Sequence, residues 1–157
     1  MFIITCLLPA SLIFILIRRG KVSDTSISNP RQRGIPYAFA ILCYVGAAVF
    51  VICLNAPGWM PKFFIGAAIV TALSMLITKW WKISAHAASV GGVSALIYWL
   101  VLQGYLNIAP MAWLSLAFLV TGLVCWARLY LRHHTPLQVL AGACMAAFIE
   151  FAAVAII

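Results

Sequence analysis

The chain has 157 residues, of which 66% are hydrophobic and 8% charged, and its formal net charge is +8. This apolar fraction exceeds what one soluble core of such a length can bury, so the composition excludes a soluble globular protein. The positive charge does not indicate a nucleic-acid-binding protein, because the cations lie at the ends of apolar runs rather than in one basic tract. We expect membrane lipids with anionic headgroups to be their partners.

The apolar residues fall into runs of roughly the length, about 20 residues, that a helix needs to cross a bilayer. We therefore predict an all-α fold, an integral membrane bundle of six transmembrane helices forming a single domain over residues 1–157. Small residues cluster in the fourth and sixth runs and let helix backbones approach closely, so we expect these two helices to form the packed centre of the bundle. The predicted spans lie near residues 2–17, 35–54, 63–78, 83–102, 111–126 and 137–157.

The first run, residues 1–17, carries no charged side chain and is followed by Arg18, Arg19 and Lys21. A secretory signal peptide has the reverse order, with its positive charge in front of the apolar stretch. We therefore interpret this run as a first span that stays in the membrane. The joint behind it, up to residue 34, is rich in Ser, Asn, Gly and Pro, which is typical of surface turns.

The Lys and Arg residues are distributed unevenly among the joints. Of the ten, all but Lys62 lie in or beside the first, third and fifth joints. By the positive-inside rule, these joints lie in the cytoplasm and both termini lie outside, which suits a bacterial inner membrane. A phosphate-binding site is also rich in cations, so the same bias fits a functional cluster on that face.

Carboxylates are scarce, since Asp24 and Glu150 are the two acidic residues of the chain. Mg²⁺ and Ca²⁺ usually take several oxygen ligands, and the five cysteines show no paired ligand spacing. We therefore predict no metal site and no cofactor. Phosphoryl chemistry in this chain would depend on Arg and Lys to hold negative charge and on His to attack phosphorus and transfer protons.

The start of the fourth span combines an N-cap residue with a histidine. Ser84 is a good N-cap and would leave the first N–H groups of the helix, with the positive end of its dipole, available to an anion. His86 lies two residues further on, and Lys79 and Lys82 precede the cap. In the alternative interpretation, Ser84 only caps the helix and His86 only bonds to a neighbouring helix.

The fifth joint holds a second cluster. Arg128 precedes His134 by six positions, and Gln138 follows His134 by four. With Thr135 as N-cap, the histidine and a side chain one turn into the last helix can come within reach of each other. Thr135 and Gln138 also have the spacing of a capping box, which explains Gln138 without catalysis. We expect Arg128 and Arg132, four apart, to share a helical face; alternatively, they anchor the helix end to lipid phosphates.

These two clusters resemble the motifs of the type-2 phosphatidic acid phosphatase superfamily, which includes membrane lipid phosphatases and vanadium haloperoxidases. The family pattern is Lys-x6-Arg-Pro, then Pro-Ser-Gly-His, then Ser-Arg-x5-His-x3-Asp. The third part is matched by Ala127 and Arg128, by His134, and by Gln138 in place of the family's Asp. Six spans also match the usual membrane core, so the resemblance covers most of the chain.

The other two parts of the pattern are matched less completely. The second part is matched by Ser-Ala-His at residues 84–86, with Ile83 and Ala85 in place of the family's Pro and Gly. Lys79 or Lys82 would supply the lysine of the first part, but no Arg-Pro follows either of them. Arg31 and Arg33, predicted on the same membrane face, are candidates to replace the missing arginine.

The resemblance implies a role for each matched residue. His134 would be the nucleophile that forms a phosphohistidine, and His86 would be the acid that protonates the leaving lipid oxygen. Arg128, the Ser84 hydroxyl and nearby N–H groups would hold the phosphate oxygens. Gln138 would orient His134, although it brings no negative charge. The implied activity is metal-independent hydrolysis of a membrane lipid phosphate or diphosphate.

Two alternatives remain open. Gln138 and the incomplete first motif also fit a catalytically weak or inactive protein of the same fold that binds or transports a lipid phosphate. His86 and Glu150 also fit a small transporter with a proton relay inside the membrane. Phosphatidic acid, phosphatidylglycerol phosphate, a polyprenyl diphosphate and a lipid A phosphate present the same headgroup chemistry, so the motifs do not select among these substrates.

Overall fold

The computed structural model describes residues 1, 3–23, 27, 29 and 32–156. A π-helical turn, Ile3–Leu7, continues directly into α1 (Leu8–Arg18). No strand occurs among these described residues, which confirms the predicted all-α fold. The remaining helices are α2 (Gly34–Cys53), α3 (Trp59–Ile77), α4 (Ala85–Leu102), α5 (Pro110–Tyr130) and α6 (Pro136–Ile156).

Helices α2 to α6 are each long and apolar enough to cross a membrane. Many of their large hydrophobic side chains face outward, for example Leu42 at 69% exposure and Phe148 at 78%. Such side chains are expected where helices meet lipid rather than water. The first apolar helix, Ile3–Arg18, falls below the length of a span. The structure therefore supports five of the six predicted spans. The remaining one, the first span near residues 2–17, stays a prediction.

Several helix ends differ from the predicted spans. Helix α3 begins at Trp59 rather than near residue 63, so part of the joint between the second and third predicted spans is helical. Helix α5 continues to Tyr130, past the predicted end at 126, and therefore includes Arg128. The reason is that apolarity marks the depth of the bilayer, whereas a helix extends into the headgroup region with polar and aromatic residues.

The first compact unit is Met1–Lys82. Within it, α2 packs along α3 and also against the first helix. Ala47 and Val51 on α2 are almost completely buried, and Gly66 and Ala68 on α3 are buried too. Small side chains at these positions allow the helix backbones to approach closely.

The second compact unit is Ile83–Ile157, in which α4 packs along α6 and also against α5. The α4–α6 approach depends on glycine. A Cβ on Gly91 would lie 2.5 Å from the Ala143 carbonyl oxygen, and one on Gly142 would lie 2.6 Å from the Ser84 carbonyl oxygen. The small residues of these two helices therefore allow their backbones to approach closely, whereas their place at the centre of the bundle stays a prediction.

Helices α4 and α6 run in the same direction. The Ser84 backbone N–H donates to the Gln138 carbonyl oxygen at 3.3 Å, where both helices begin. Further along, a Cβ on Gly92 would meet Glu150 Cγ at 2.8 Å. Because contacts advance together along both helices, their N-terminal ends lie side by side.

Helices α4 and α5 run in opposite directions. The Ser94 hydroxyl donates to the Ala117 carbonyl oxygen at 3.3 Å, and the Thr121 hydroxyl donates to the Val90 carbonyl oxygen at 3.3 Å. An earlier position on α4 thus faces a later position on α5. The C-terminal end of α5 therefore lies at the same end of this unit as the starts of α4 and α6.

Candidate functional site

Ser84 begins α4 as its N-cap. The residue is fully buried and extended, with φ −86° and ψ 103°, and its hydroxyl accepts a hydrogen bond from the Ala87 N–H at 3.4 Å. The predicted cap is thereby confirmed. The first N–H groups of a helix have no acceptor within the helix, so the positive end of the α4 dipole lies here.

His134 lies immediately before α6 and is buried, at 8% exposure. Its Nδ1 lies 3.2 Å from Gln138 Oε1, and the Thr135 N–H donates to the same oxygen at 3.2 Å. A backbone N–H only donates, so the Gln138 atom between them acts as an acceptor toward both. In the neutral imidazole, Nδ1 therefore carries the proton and Nε2 carries the lone pair.

Gln138 also caps α6. Its backbone N–H donates to the Thr135 hydroxyl at 3.4 Å, while its side-chain oxygen accepts from the Thr135 N–H. These reciprocal bonds form the predicted capping box. The side-chain oxygen of Gln138 therefore caps α6 and orients His134 at the same time. The two explanations of Gln138 offered by the sequence are not exclusive.

Gln138 connects the starts of α4 and α6. Its carbonyl oxygen accepts the bond from the Ser84 N–H, and its side chain holds His134. One turn further along α6, Gly142 has no side chain and lets the two helix starts touch. Three of the predicted site residues, Ser84, His134 and Gln138, are thereby joined through hydrogen bonds.

The end of α5 contributes Arg128 and turns the chain toward His134. The His133 N–H donates to the Arg128 carbonyl oxygen at 3.2 Å, and the Arg132 N–H donates to the Leu129 carbonyl oxygen at 2.9 Å. This bond pair is a Schellman motif, with Arg132 in the left-handed region at φ 52°. The motif reverses the chain between α5 and α6.

The expectation that Arg128 and Arg132 share a helical face is wrong. Helix α5 ends at Tyr130, so Arg128 lies in its last turn while Arg132 lies beyond its C-cap and is exposed. Spacing alone predicted a continuous helix here, because no Gly marks the left-handed position.

His86 and Arg128 lie at the same end of the second unit as the cluster around Gln138. The antiparallel register places His86, one turn before Val90, at the level of the last turns of α5, where Arg128 lies. The His86 side chain is exposed, whereas Arg128 is half-buried with its Nε atom inside the protein. The two histidines therefore differ in their access to the surroundings.

The remaining predicted phosphate ligands belong to the first unit. Arg33 is buried, and its Nε–H donates to the Ile27 carbonyl oxygen at 2.9 Å. Lys79 is exposed just after α3, and Lys82 is half-buried at the end of the unit. Arg31 lies outside the described residues. A phosphate-binding role for these four residues stays a prediction.

Glu150 is a buried polar residue whose contact was not predicted. It is 3% exposed, its Oε2 is buried and has no hydrogen-bond partner, and its Cγ lies over Gly92. The sequence places Glu150 inside the predicted sixth span. Its contact with Gly92 depends on the register between α4 and α6, which the sequence does not show. Within the described ranges, no group of three His, Cys, Asp or Glu side chains is arranged to hold a metal ion.

Comparison of the chain with protein-family models, with curated proteins and with solved structures gives no match. The fold and the site together define a class: an all-helical protein with membrane-spanning helices. In its second unit, a buried histidine, a glutamine and a helix N-cap meet where α4 and α6 begin.

Proposed function

We propose that the protein is a metal-independent phosphatase that removes phosphate from a membrane lipid phosphate or diphosphate through a phosphohistidine intermediate. The observation that carries the proposal is the 3.2 Å hydrogen bond between His134 Nδ1 and Gln138 Oε1. This bond favours the tautomer with its lone pair on Nε2, the form that a nucleophilic imidazole needs. The positive end of the α4 dipole at Ser84 is a suitable place for the phosphate oxygens.

The reaction has two steps. In the first, His134 Nε2 bonds to phosphorus while the bond from phosphorus to the lipid oxygen breaks, and protonated His86 gives that oxygen its proton. In the second, His86 takes a proton from a water molecule as the water oxygen attacks phosphorus and the P–N bond breaks. Arg128 and the start of α4 stabilise the negative oxygens in both steps.

Gln138 limits the expected rate. Its oxygen holds the ring of His134 in one orientation, but a neutral amide stabilises the positive charge on a phosphorylated imidazole less than a carboxylate does. We therefore expect slow turnover.

The test is release of inorganic phosphate by purified protein in vesicles. Lipid phosphates with different headgroup carriers are supplied in turn, with EDTA or vanadate in parallel samples. We expect release that survives EDTA and is inhibited by vanadate. His134→Ala should abolish it, whereas His133→Ala, which changes the neighbouring histidine, should retain it. Undiminished turnover in the His134→Ala protein would exclude the proposed nucleophile.

We also propose in which membrane the protein lies and which face carries the site. The distribution of Lys and Arg between the joints favours a bacterial inner membrane with the site on the cytoplasmic face and both termini outside. The substrate would then reach the site from the cytoplasmic leaflet. If the site lay on the outer face instead, the uneven distribution of Lys and Arg would reflect phosphate binding rather than the orientation of the helices in the membrane.

A second function is favoured by the neutral amide at position 138. A catalytically inactive protein with this cluster would still bind, or transport, a lipid phosphate. Gln138→Glu and Gln138→Asp supply the carboxylate, and Gln138→Asn is the uncharged control for the shorter side chain. A large gain of phosphate release from a near-zero baseline in the acidic variants alone would favour binding or transport as the native function. A wild-type rate close to that of the acidic variants would favour the phosphatase.

A further inference from the structure

A groove of about 480 Å³ lies on the second unit, between α5 and α6 with α4 as its floor. We call it the α5–α6 groove. It exists because α5 and α6 each pack on α4 but contact each other little. Its walls are mainly aromatic and small apolar side chains, including Tyr98 on α4, Phe118 on α5, and Cys144, Ala147 and Phe151 on α6.

Of the three residues with a hydroxyl group that line the groove, Ser94 and Thr121 are already hydrogen-bonded within the protein. The Ser94 hydroxyl donates to the Ala117 carbonyl oxygen and the Thr121 hydroxyl donates to the Val90 carbonyl oxygen, and the two hydroxyl oxygens lie 2.8 Å apart. Each hydroxyl has one proton to donate, and these bonds account for both. The groove wall they form therefore favours an apolar ligand.

One face of α4 leads from the candidate phosphate site to the groove. His86, Val90, Ser94 and Tyr98 recur every four residues and so form one stripe along α4. The stripe begins at the end of the unit that holds Ser84 and Gln138, and its later members line the groove. The distance from His86 to Tyr98 along the axis is about 18 Å at 1.5 Å per residue.

We propose that the α5–α6 groove binds one hydrocarbon chain of the lipid whose phosphate occupies the site at the start of α4. This inference rests on the proposed function for its phosphate site. A water molecule needs polar partners to occupy a recess, whereas hydrocarbon does not. The volume lies within the roughly 300–1,000 Å³ typical of small-molecule sites. A molecule with a phosphate at one end and an apolar chain at the other fits the whole stripe.

The first experiment locates the chain directly and does not require turnover. Full-length protein in vesicles is mixed with a lipid phosphate that carries a photoreactive diazirine on one acyl chain, and labelled peptides are identified by mass spectrometry. The same diazirine lipid without its phosphate is the control. We expect label at Phe118, Ala147 and Phe151, and less of it with the control lipid. Label spread equally over other lipid-facing positions, such as Leu42, would overturn the proposal.

The second experiment fills the groove. Ala147→Trp places a large side chain in it, and Leu140→Trp makes the same change at an exposed position of α6 outside it. Removing about two methylene groups from contact weakens binding about tenfold. We therefore expect groove labelling to fall about tenfold in Ala147→Trp and to stay at the wild-type level in Leu140→Trp. Equal labelling in both variants would contradict chain binding in the groove.

Cys144 offers a way to fill the groove after folding. It lines the groove and is exposed, so an alkyl maleimide can modify it in the folded protein. The reagent should lower groove labelling in the wild type and leave it unchanged in Cys144→Ala. A bifunctional reagent that links Cys144 of two chains, together with absence of lipid label, would show that a second copy fills the groove and would overturn the proposal.

The two proposals fail in different ways. If the phosphatase proposal is wrong but the chain site is correct, no lipid releases phosphate while groove labelling persists, including in His134→Ala. If the chain site is wrong but the phosphatase is correct, Ala147→Trp and wild type hydrolyse long-chain lipid phosphates with the same KM. With both correct, Ala147→Trp should raise the KM for a long-chain lipid phosphate about tenfold and leave a short-chain, water-soluble phosphate ester unaffected.

Discussion

A single amide oxygen sets the protonation pattern of the buried histidine. Gln138 Oε1 accepts from the Thr135 N–H and from His134 Nδ1, each at 3.2 Å. A carboxylate would accept the same bonds and add a negative charge. The residue at position 138 therefore has two separable effects on His134. A side-chain oxygen is enough to orient the imidazole, whereas a negative charge beside it requires an acidic residue.

Substitution of Gln138 separates these contributions. Gln138→Leu removes the acceptor of two N–H groups, so we expect the free energy of unfolding in detergent to fall by about 1–2 kcal/mol and phosphate release to be lost. Gln138→Glu is the matched control, because it keeps the oxygen and the side-chain length. It should unfold near the wild-type denaturant concentration. Equal stability of the two variants would show that the hydrogen bonds of Gln138 contribute little.

At the scale of the helix, α1, α2, α4 and α5 all end in the same way. After each C-cap, the chain enters the left-handed region, and two backbone N–H groups bond back to the last turn. The left-handed residue is Gly20 after α1, Asn55 after α2 and Gly104 after α4, but Arg132 after α5. The joint that leads to His134 is therefore the one with a strained residue at this position.

Arg132→Gly should relieve this strain. A residue with a Cβ in the left-handed region costs roughly 1–2 kcal/mol, so we expect the free energy of unfolding to rise by about 1 kcal/mol. Arg132→Ala is the control, because both variants lose the favourable charge at the helix C-terminus but only the glycine loses its Cβ. Thermal unfolding of purified protein measures both. A gain in the alanine variant as large as that in the glycine variant would show that strain from the Cβ is not the cause.

At two glycines of the α4–α6 contact, Gly91 and Gly142, an added Cβ would meet backbone of the facing helix. Gly142→Ala would place a Cβ 2.6 Å from the Ser84 carbonyl oxygen, which is backbone and cannot move aside alone. We expect a loss of about 1–3 kcal/mol in the free energy of unfolding, from overpacking. Gly122→Ala on α5 is the control, because a Cβ there meets nothing within 4 Å. It should be neutral or stabilising by up to about 1 kcal/mol. Equal losses in both variants would show that contact with the Ser84 carbonyl oxygen does not set the cost of Gly142→Ala.

At the scale of the whole molecule, the sequence predicts helices and caps better than contacts. Apolar runs reveal α2 to α6, and the capping residues Ser84 and Thr135 mark the starts of α4 and α6, because these signals are local. The bond between Ser84 and Gln138 and the lining of the groove depend on which turns face each other, and residue spacing does not encode that register. Helix α5 extends to Tyr130, past the predicted end at 126, because its last turn is not apolar, and its C-cap was not recognised because Arg132 occupies a position where Gly is usual.

The number of spans determines which side of the membrane each terminus faces. If the first, third and fifth joints are cytoplasmic, the chain end after α6 lies outside whether or not the first helix crosses. The end before Ile3–Arg18 lies outside only if that helix crosses. At 1.5 Å per residue it is about 24 Å long, several ångströms less than a hydrocarbon core of about 30 Å. Local thinning of the bilayer and the long side chains of Arg18 and Arg19 can make up the difference.

We therefore expect tags at both ends of the chain to lie on the outer side of the inner membrane. A protease-sensitive epitope before Met1 and an alkaline phosphatase fusion after Ile157 report the two ends separately. A protected first tag with an active fusion would show five spans and leave the candidate site cytoplasmic. An inactive fusion would reverse the topology and place the site on the outer face. In that case the cations near His86 and Arg128 would reflect phosphate binding rather than membrane orientation, because the positive-inside rule would not explain them.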